Sequence, residues 1–135
     1  MKNRIWLATP HMSDEEYELA YVREAFEKNW IAPLGENVNE FEKSVGDYLG
    51  KEHIVALSSG TAALHLAMVQ AGVGEGDLVF CQDMTFVASV NPVDYLGARL
   101  VLIDSERGSW NMDPAALEKA IELYGVPKAL EVVHL

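Results

Sequence analysis

The chain has 135 residues, of which 50% are hydrophobic, and its 21 acidic residues outnumber its 10 basic ones. This composition excludes disorder and predicts a globular fold, while the acidic excess disfavours binding to a nucleic-acid backbone. The longest apolar run is too short for a membrane-spanning helix, and residues 1–10 lack the apolar core of a signal peptide, so the expected location is the cytoplasm. The single cysteine, Cys81, permits no internal disulfide and is expected to be a buried structural thiol.

Residues 1–52 predict two helices joined by a loop. A serine followed by three acidic residues, 13–16, is typical of a helix N-terminus, and apolar residues at helical spacing continue to about Asn29. The segment from Trp30 to Gly35 contains a proline and a glycine and ends this helix. A second amphipathic helix follows and is expected to end at Gly50. The apolar loop between the helices suits a ligand or a subunit contact, although ordinary loop packing explains it equally well.

From residue 53 onward, strand and helix patterns alternate. Since this alternation is typical of βαβ units, residues 53–135 predict an α/β fold with a mostly parallel sheet covered by helices on both faces. The chain stops inside its last strand without a covering helix, which indicates the front part of a longer protein. The predicted strands are His53–Leu57, Asp77–Cys81, Arg99–Ile103 and Lys128–Leu135. The predicted helices are the nearly all-apolar Ala62–Ala71, Thr85–Tyr95 with Pro92 one turn inside, and Asp113–Tyr124 with Pro114 at the first helical position.

The turn Ser59-Gly60-Thr61-Ala62 stands between a predicted strand and the apolar helix. Free backbone N–H groups, the helix dipole and two hydroxyl groups converge there, which is the arrangement that binds phosphate. Gly60 would let an anion approach the backbone closely. An ordinary βα turn with a serine cap explains these residues more economically when they are taken alone. No lysine follows as in a Walker loop, and the dinucleotide-binding glycine pattern is absent.

Thr85 and Phe86 follow the next predicted strand, so they lie at the same carboxyl-end edge of the sheet, where ligands collect. An aromatic side chain there can lie flat on a planar ring, whereas an anchor for the helix in the core is the commoner role of such a phenylalanine. His65, inside the apolar helix, is expected to be a hydrogen-bonded core residue. The other histidines share no metal-ligand spacing, so no metal site is predicted. No nucleophile or catalytic triad is evident either.

Ordered segments along nearly the whole chain resemble the DegT/DnrJ/EryC1/StrS family of pyridoxal-phosphate-dependent nucleotide-sugar aminotransferases. The likeness is greatest to the branch that makes amino sugars for exopolysaccharide, capsule or glycoprotein glycans. The segments that carry it are Asn29–Gly35, Ser59–Leu66, Thr85–Pro92, Asp104–Ser105, Trp110–Met112 and Val133–Leu135.

The resemblance implies the large domain of a fold-type I transferase that binds pyridoxal 5′-phosphate (PLP). Gly60, Thr61 and Ala62 are then expected to hold the cofactor phosphate, and Phe86 to stack on the pyridine ring. A second subunit completes the active site in the family, so a homodimer is expected. The residues expected to line the nucleotide-sugar site are Leu7, Asn29, Trp30, Ile31 and Ala32.

The resemblance further implies transfer of an amino group, with glutamate as donor, to a keto group of a UDP- or dTDP-linked deoxy sugar. The loop after Asn29 favours a 4-keto-6-deoxy hexose. In the family, the lysine that binds the cofactor and the aspartate that pairs with the pyridine nitrogen have no counterpart before Leu135, so no catalytic residue is assigned. Two alternatives remain open: the sugar dehydratase branch, in which histidine replaces that lysine, and a non-catalytic remnant or interaction module.

Overall fold

The computed structural model describes residues 11–135, so Leu7 lies outside the described residues. The chain divides into two compact units, one ending at Ala56 and the other running from Leu57 to Leu135. Among the described residues, no helix combines the length and the apolar character needed to cross a bilayer.

The first unit contains the two predicted helices, α1 (Tyr17–Glu27) and α2 (Glu36–Leu49). At the start of α1, the Ser13 hydroxyl oxygen accepts a hydrogen bond from the Tyr17 N–H at 3.1 Å. At the end of α2, Gly50 adopts the left-handed conformation, with φ of 62°, in which glycine carries no steric cost. Both helices are therefore confirmed. α2 ends at the predicted glycine, whereas α1 begins only at Tyr17, after the three acidic residues, and Glu16 at its N-cap position makes no side-chain capping hydrogen bond.

The predicted strand at 53–57 is wrong, because the structure assigns no strand there. The Ala56 N–H donates instead to the Glu42 carboxylate at 2.7 Å, and the Val55 side chain is 64% exposed. A strand requires a neighbouring strand as its hydrogen-bond partner, whereas the backbone of this segment bonds to the side chain of Glu42.

The second unit is a parallel sheet with helices, as predicted. Its three strands have the order β2-β1-β3, and β1 pairs in parallel with both neighbours. The last strand is shorter than the predicted 128–135. In chain order the elements are α3 (Gly60–Gln70), β1 (Leu78–Gln82), a 3₁₀ turn (Val87–Ser89), α4 (Asn91–Tyr95), β2 (Arg99–Ile103), α5 (Pro114–Tyr124) and β3 (Ala129–Glu131).

Helices cover both faces of this sheet. Neighbouring side chains of β1 point to opposite faces, so each face has its own apolar cluster. Val79 packs on one face with buried residues of α3 and α4, while Phe80 packs on the other face with a buried residue of α5. The first cluster consists of Met68, Val73, Val79 and Val93, and the second of Phe80, Ile103 and Ala120.

Two details of the helices differ from the prediction. The single helix expected over 85–95 is a 3₁₀ turn followed by the short α4, in which Pro92 is the second residue and has no N–H to continue a longer helix. The nearly all-apolar sequence of α3 is typical of a helix enclosed between two layers, but only Met68 of this helix is buried, so it packs along one side. His65 is accordingly half-buried and not a core residue; its ring meets that of Tyr95 edge-on at 5.8 Å.

Cys81 is fully buried in β1, which confirms the predicted structural thiol. Burial raises the pKa of Cys81 to about 11, and the charge of Glu131, its partner in the β1–β3 register, adds to the rise. Burial also raises the pKa of the Glu131 carboxyl, while a hydrogen bond from Ser89 opposes that change. The interior of the sheet therefore favours the uncharged forms of both side chains.

Replacing Ile103 with alanine is expected to lower the free energy of unfolding by about 2–5 kcal/mol, because the side chain is fully buried and its removal leaves a cavity. Ile103 is 2% exposed, whereas Leu102, the preceding residue of β2, is 55% exposed and supplies the matched control Leu102→Ala. Urea unfolding of the two variants checks this, and equal losses would contradict the assigned core.

The raised pKa of Cys81 predicts a loss of stability in alkali. The unfolded thiol has an ordinary pKa of 9.0 and the folded one about 11, so its contribution is fully present below pH 9 and is lost as the pH rises towards 11. Urea unfolding of wild type and Cys81→Ala from pH 8 to 11 measures the difference. Parallel pH profiles would show that Cys81 does not titrate as described.

Candidate cofactor-binding site

The N-terminus of α3 presents two backbone N–H groups that have no hydrogen-bond acceptor among residues 11–135. The Ser59 hydroxyl oxygen accepts from the Ala62 N–H at 3.2 Å, and the Ser59 carbonyl accepts from the Ala63 N–H at 3.1 Å. Within the described residues no acceptor meets the N–H groups of Gly60 and Thr61, which come first in the helix. These two donors lie at the positive end of the α3 dipole, where an anion is stabilised.

The structure gives Gly60 no role in the fold of this chain. Its φ lies outside the left-handed region, and a Cβ atom at this position would meet no atom within 4 Å. Neither backbone strain nor packing therefore requires glycine here. The missing side chain instead leaves open space beside the two free N–H groups, so the turn fits a phosphate that approaches the backbone closely.

Phe86 lies in the same unit, between β1 and the 3₁₀ turn that contacts α3. Its side chain is 78% exposed, so it does not anchor the following helix in the core. Its carbonyl accepts from the Ser89 N–H at 3.0 Å, and the Thr85 and Ser89 hydroxyl groups lie 2.8 Å apart. These two hydrogen bonds hold the chain on either side of Phe86, and the ring of Phe86 is largely exposed to solvent.

A carboxyl group lies beneath this segment. Ser89 is buried and bonds to Glu131, and the Glu131 Oε2 atom is buried without a hydrogen-bond partner among the described residues. An uncharged carboxyl group is the less costly form for such an atom, which agrees with its raised pKa.

Gln82, which sequence reasoning missed, organises the carboxyl end of β1. The side chain is fully buried; its amide donates to the carbonyls of Met84 and Trp110, both at 3.1 Å, and its oxygen accepts from the Met112 N–H at 3.0 Å. Gln82 thereby fixes the segment that leads to Phe86. The available signal was one amide residue at the end of an otherwise apolar strand, but two of its three partners lie 28 and 30 residues away and leave no local pattern.

The residues predicted to contact substrate follow the end of α1 in the first unit. Asn29 has φ of 57°, and the N–H groups of Asn29 and Trp30 bond to carbonyls of the last turn of α1 at 3.1 and 2.8 Å. This is the Schellman arrangement, in which asparagine is tolerated at the left-handed position. The side chains of Asn29, Trp30, Ile31 and Ala32 are exposed, and a cavity of about 130 Å³ beside them is lined in part by Trp30, Ala32 and Leu34.

The structure thus brings the predicted residues together in two groups. Gly60, Thr61 and Ala62 begin the helix that contacts the turn after Phe86, all within the second unit. Residues 29–32 form one exposed segment of the first unit. In the described part of the chain, no three His, Cys, Asp or Glu side chains are grouped as metal ligands.

Known proteins share this sequence and this fold. EpsN of Bacillus subtilis, whose name describes a pyridoxal phosphate-dependent aminotransferase, is 49% identical over all of this chain, and GDP-perosamine synthase of Caulobacter vibrioides is 42% identical over 98% of it. The chain spans 35% and 34% of the lengths of these two relatives.

A solved structure agrees with the sequence comparisons. The PLP form of Spr1654 of Streptococcus pneumoniae, named as a sugar aminotransferase, superimposes with a TM-score of 0.77 at 32% identity, covering 87% of this chain and 29% of that one. Residues 12–135 match the DegT/DnrJ/EryC1/StrS aminotransferase family. The chain therefore belongs to this family of PLP-dependent enzymes, as the resemblance of its motifs predicted.

Proposed function

We propose that the chain is the N-terminal part of an aminotransferase that transfers an amino group from glutamate to a nucleotide-linked keto-deoxy sugar. The product serves polysaccharide or glycan synthesis. The observation that carries this proposal is the pair of free N–H groups at Gly60 and Thr61, beside open space, in a chain of a PLP-dependent family.

The phosphate of PLP binds at the start of α3. The Gly60 and Thr61 N–H groups donate to its oxygens, the Thr61 hydroxyl adds a further donor, and Ala62 keeps this turn small. The Ser59 hydroxyl oxygen accepts from the Ala62 N–H and so caps the helix, which leaves its own O–H group able to donate to the phosphate. The turn therefore anchors the cofactor through its phosphate, away from the reacting atoms.

Phe86 stacks on the pyridine ring. Its exposed ring has no competing partner in the core, and the hydrogen bonds at Thr85 and Ser89 fix its backbone. When bound, PLP supplies the group that accepts the amino group from glutamate and passes it to the sugar. This chain contributes the phosphate anchor and the ring platform to that reaction.

The nucleotide sugar lies against Leu7, Asn29, Trp30, Ile31 and Ala32. Support comes from the exposure of residues 29–32 and from relatives whose names include GDP-perosamine synthase and the spore coat polysaccharide biosynthesis protein SpsC, the latter 38% identical over 77% of this chain. We take the substrate to be a nucleotide-linked 4-keto-6-deoxy hexose. Residues 1–52 form the substrate side and residues 53–135 the cofactor side of a cytoplasmic homodimer. A solved sugar dehydratase is 21% identical, a likeness that concerns the fold alone.

Two substitutions test the cofactor site in the full-length protein. Thr61→Val is expected to weaken PLP binding by about 1–3 kcal/mol through loss of a charge-assisted hydrogen bond, and Phe86→Leu by about 1 kcal/mol through loss of the stacked ring. Absorbance titration with PLP measures both affinities. Thr61→Ser keeps the hydroxyl and is the control. Wild-type affinity in both Thr61→Val and Phe86→Leu would refute the site.

A second experiment uses the 135-residue chain itself. Mixed with PLP and reduced with borohydride, it is expected to give no stoichiometric adduct at a specific lysine, because the family resemblance implies that the lysine that binds the cofactor has no counterpart before Leu135. Peptide mass spectrometry reads the result. Stoichiometric trapping at Lys128, or at any other single lysine, would contradict the proposed assignment.

A further inference from the structure

A single cation joins the two ends of the loop that carries the proposed substrate residues. We name residues 29–35 the Trp30 loop. Lys28 Nζ lies 2.6 Å from a Glu24 carboxylate oxygen in α1 and 2.6 Å from a Glu36 carboxylate oxygen at the first residue of α2. The hydrogen bonds to these two carboxylates raise the pKa of Lys28 above its ordinary value, so the lysine is charged at every physiological pH.

The Trp30 loop has few other restraints. Its first residues continue the Schellman hydrogen bonds of α1, and Trp30 packs over Gly35, where a Cβ atom would lie 3.6 Å from the indole ring. From Ile31 to Leu34, no hydrogen bond joins the loop to the described part of the chain. In the described part of the chain, the ion pairs of Lys28 therefore link the start of the loop to its end, together with the contact of Trp30 with Gly35.

Lys28 is a poor candidate for a direct ligand of a diphosphate. Its one positive charge faces two carboxylates within hydrogen-bond distance, so the local charge is negative. The two carboxylates leave one N–H of the ammonium group unused, but an anion that approached it would meet the repulsion of both Glu24 and Glu36. The geometry instead resembles a clamp, with the ammonium group held between two helices.

We propose that Lys28 is a positioning residue, which pairs with Glu24 and Glu36 to hold the Trp30 loop in the conformation that receives the nucleotide sugar. That the loop receives a nucleotide sugar rests on the proposed function. The effect of Lys28 on the conformation of the loop does not depend on that function. The two parts are therefore measured separately.

The first measurement follows the loop by ¹⁹F NMR of 5-fluorotryptophan at position 30, assigned with Trp30→Phe, in the full-length protein. Lys28→Met is expected to move the Trp30 resonance towards that of the unfolded protein, and 1 M salt is expected to move the wild-type resonance in the same direction. Lys43→Met is the matched control, because Lys43 forms an exposed ion pair with Asp47 at 2.7 Å within α2. A Trp30 resonance unchanged in Lys28→Met would overturn the proposal.

The second measurement compares KM with kcat, using a nucleotide-linked 4-keto-6-deoxy hexose. Lys28→Met is expected to raise KM for the sugar about two- to fivefold, the scale of exposed ion pairs, with kcat and the KM for glutamate unchanged. Lys28→Arg is expected to restore the wild-type KM, and Lys43→Met to leave it unaltered.

Glu36→Gln separates a clamp from a phosphate ligand. If Lys28 positions the loop, loss of one carboxylate raises KM for the sugar; if Lys28 binds the diphosphate, the released ammonium group lowers it, and that result would overturn the proposal. Absence of sugar turnover by the wild-type protein would refute the proposed function together with the substrate part of this inference, while the ¹⁹F result still decides whether Lys28 holds the loop.

Discussion

The side chain of Ser59 caps α3 by accepting a hydrogen bond from the Ala62 N–H, and the candidate site depends on this hydrogen bond. Because the Ser59 oxygen accepts from the Ala62 N–H, the helix starts at Gly60, and its first two N–H groups have no acceptor among the described residues. A helix that began one turn later would place bulkier residues around its first donors. The cap therefore determines both where the positive end of the dipole lies and which small residue stands beside it.

The parallel sheet positions Phe86, the other part of the candidate cofactor site. Polar groups collect at the carboxyl ends of β1 and β2, where Gln82 bonds to three backbone groups and the Ser105 hydroxyl donates to Asp83 at 2.9 Å. The hydrogen bonds of the fully buried Gln82 side chain are costly to break, since each broken bond leaves an unpaired group in the interior. They hold the backbone that leads to Phe86, whose ring needs a fixed base because no core contact restrains it.

Local signals in the sequence predicted most of the helices and two of the three strands of the sheet closely. Gly50, Ser59 and Pro114 act within a few residues of their own positions, so their effects can be read from the sequence alone. The strand expected over 53–57 failed because strand formation depends on a partner elsewhere in the chain. The same limit hid Gln82, because two of its three partners are remote in sequence. The resemblance of the motifs to a known family indicated that one cofactor binds at both the Gly60 turn and Phe86. Hydrophobic periodicity alone could not indicate this.

In the proposed site, the Gly60 and Thr61 amides hold the phosphate of PLP. The most direct test is ¹⁵N NMR of the labelled protein, titrated with pyridoxal 5′-phosphate and, in parallel, with pyridoxal, which lacks the phosphate. We expect the amide resonances of Gly60 and Thr61 to shift downfield with pyridoxal 5′-phosphate and to remain in place with pyridoxal, because an N–H group that donates to an anion is deshielded. Equal shifts with both compounds, or shifts confined to other residues, would contradict the account.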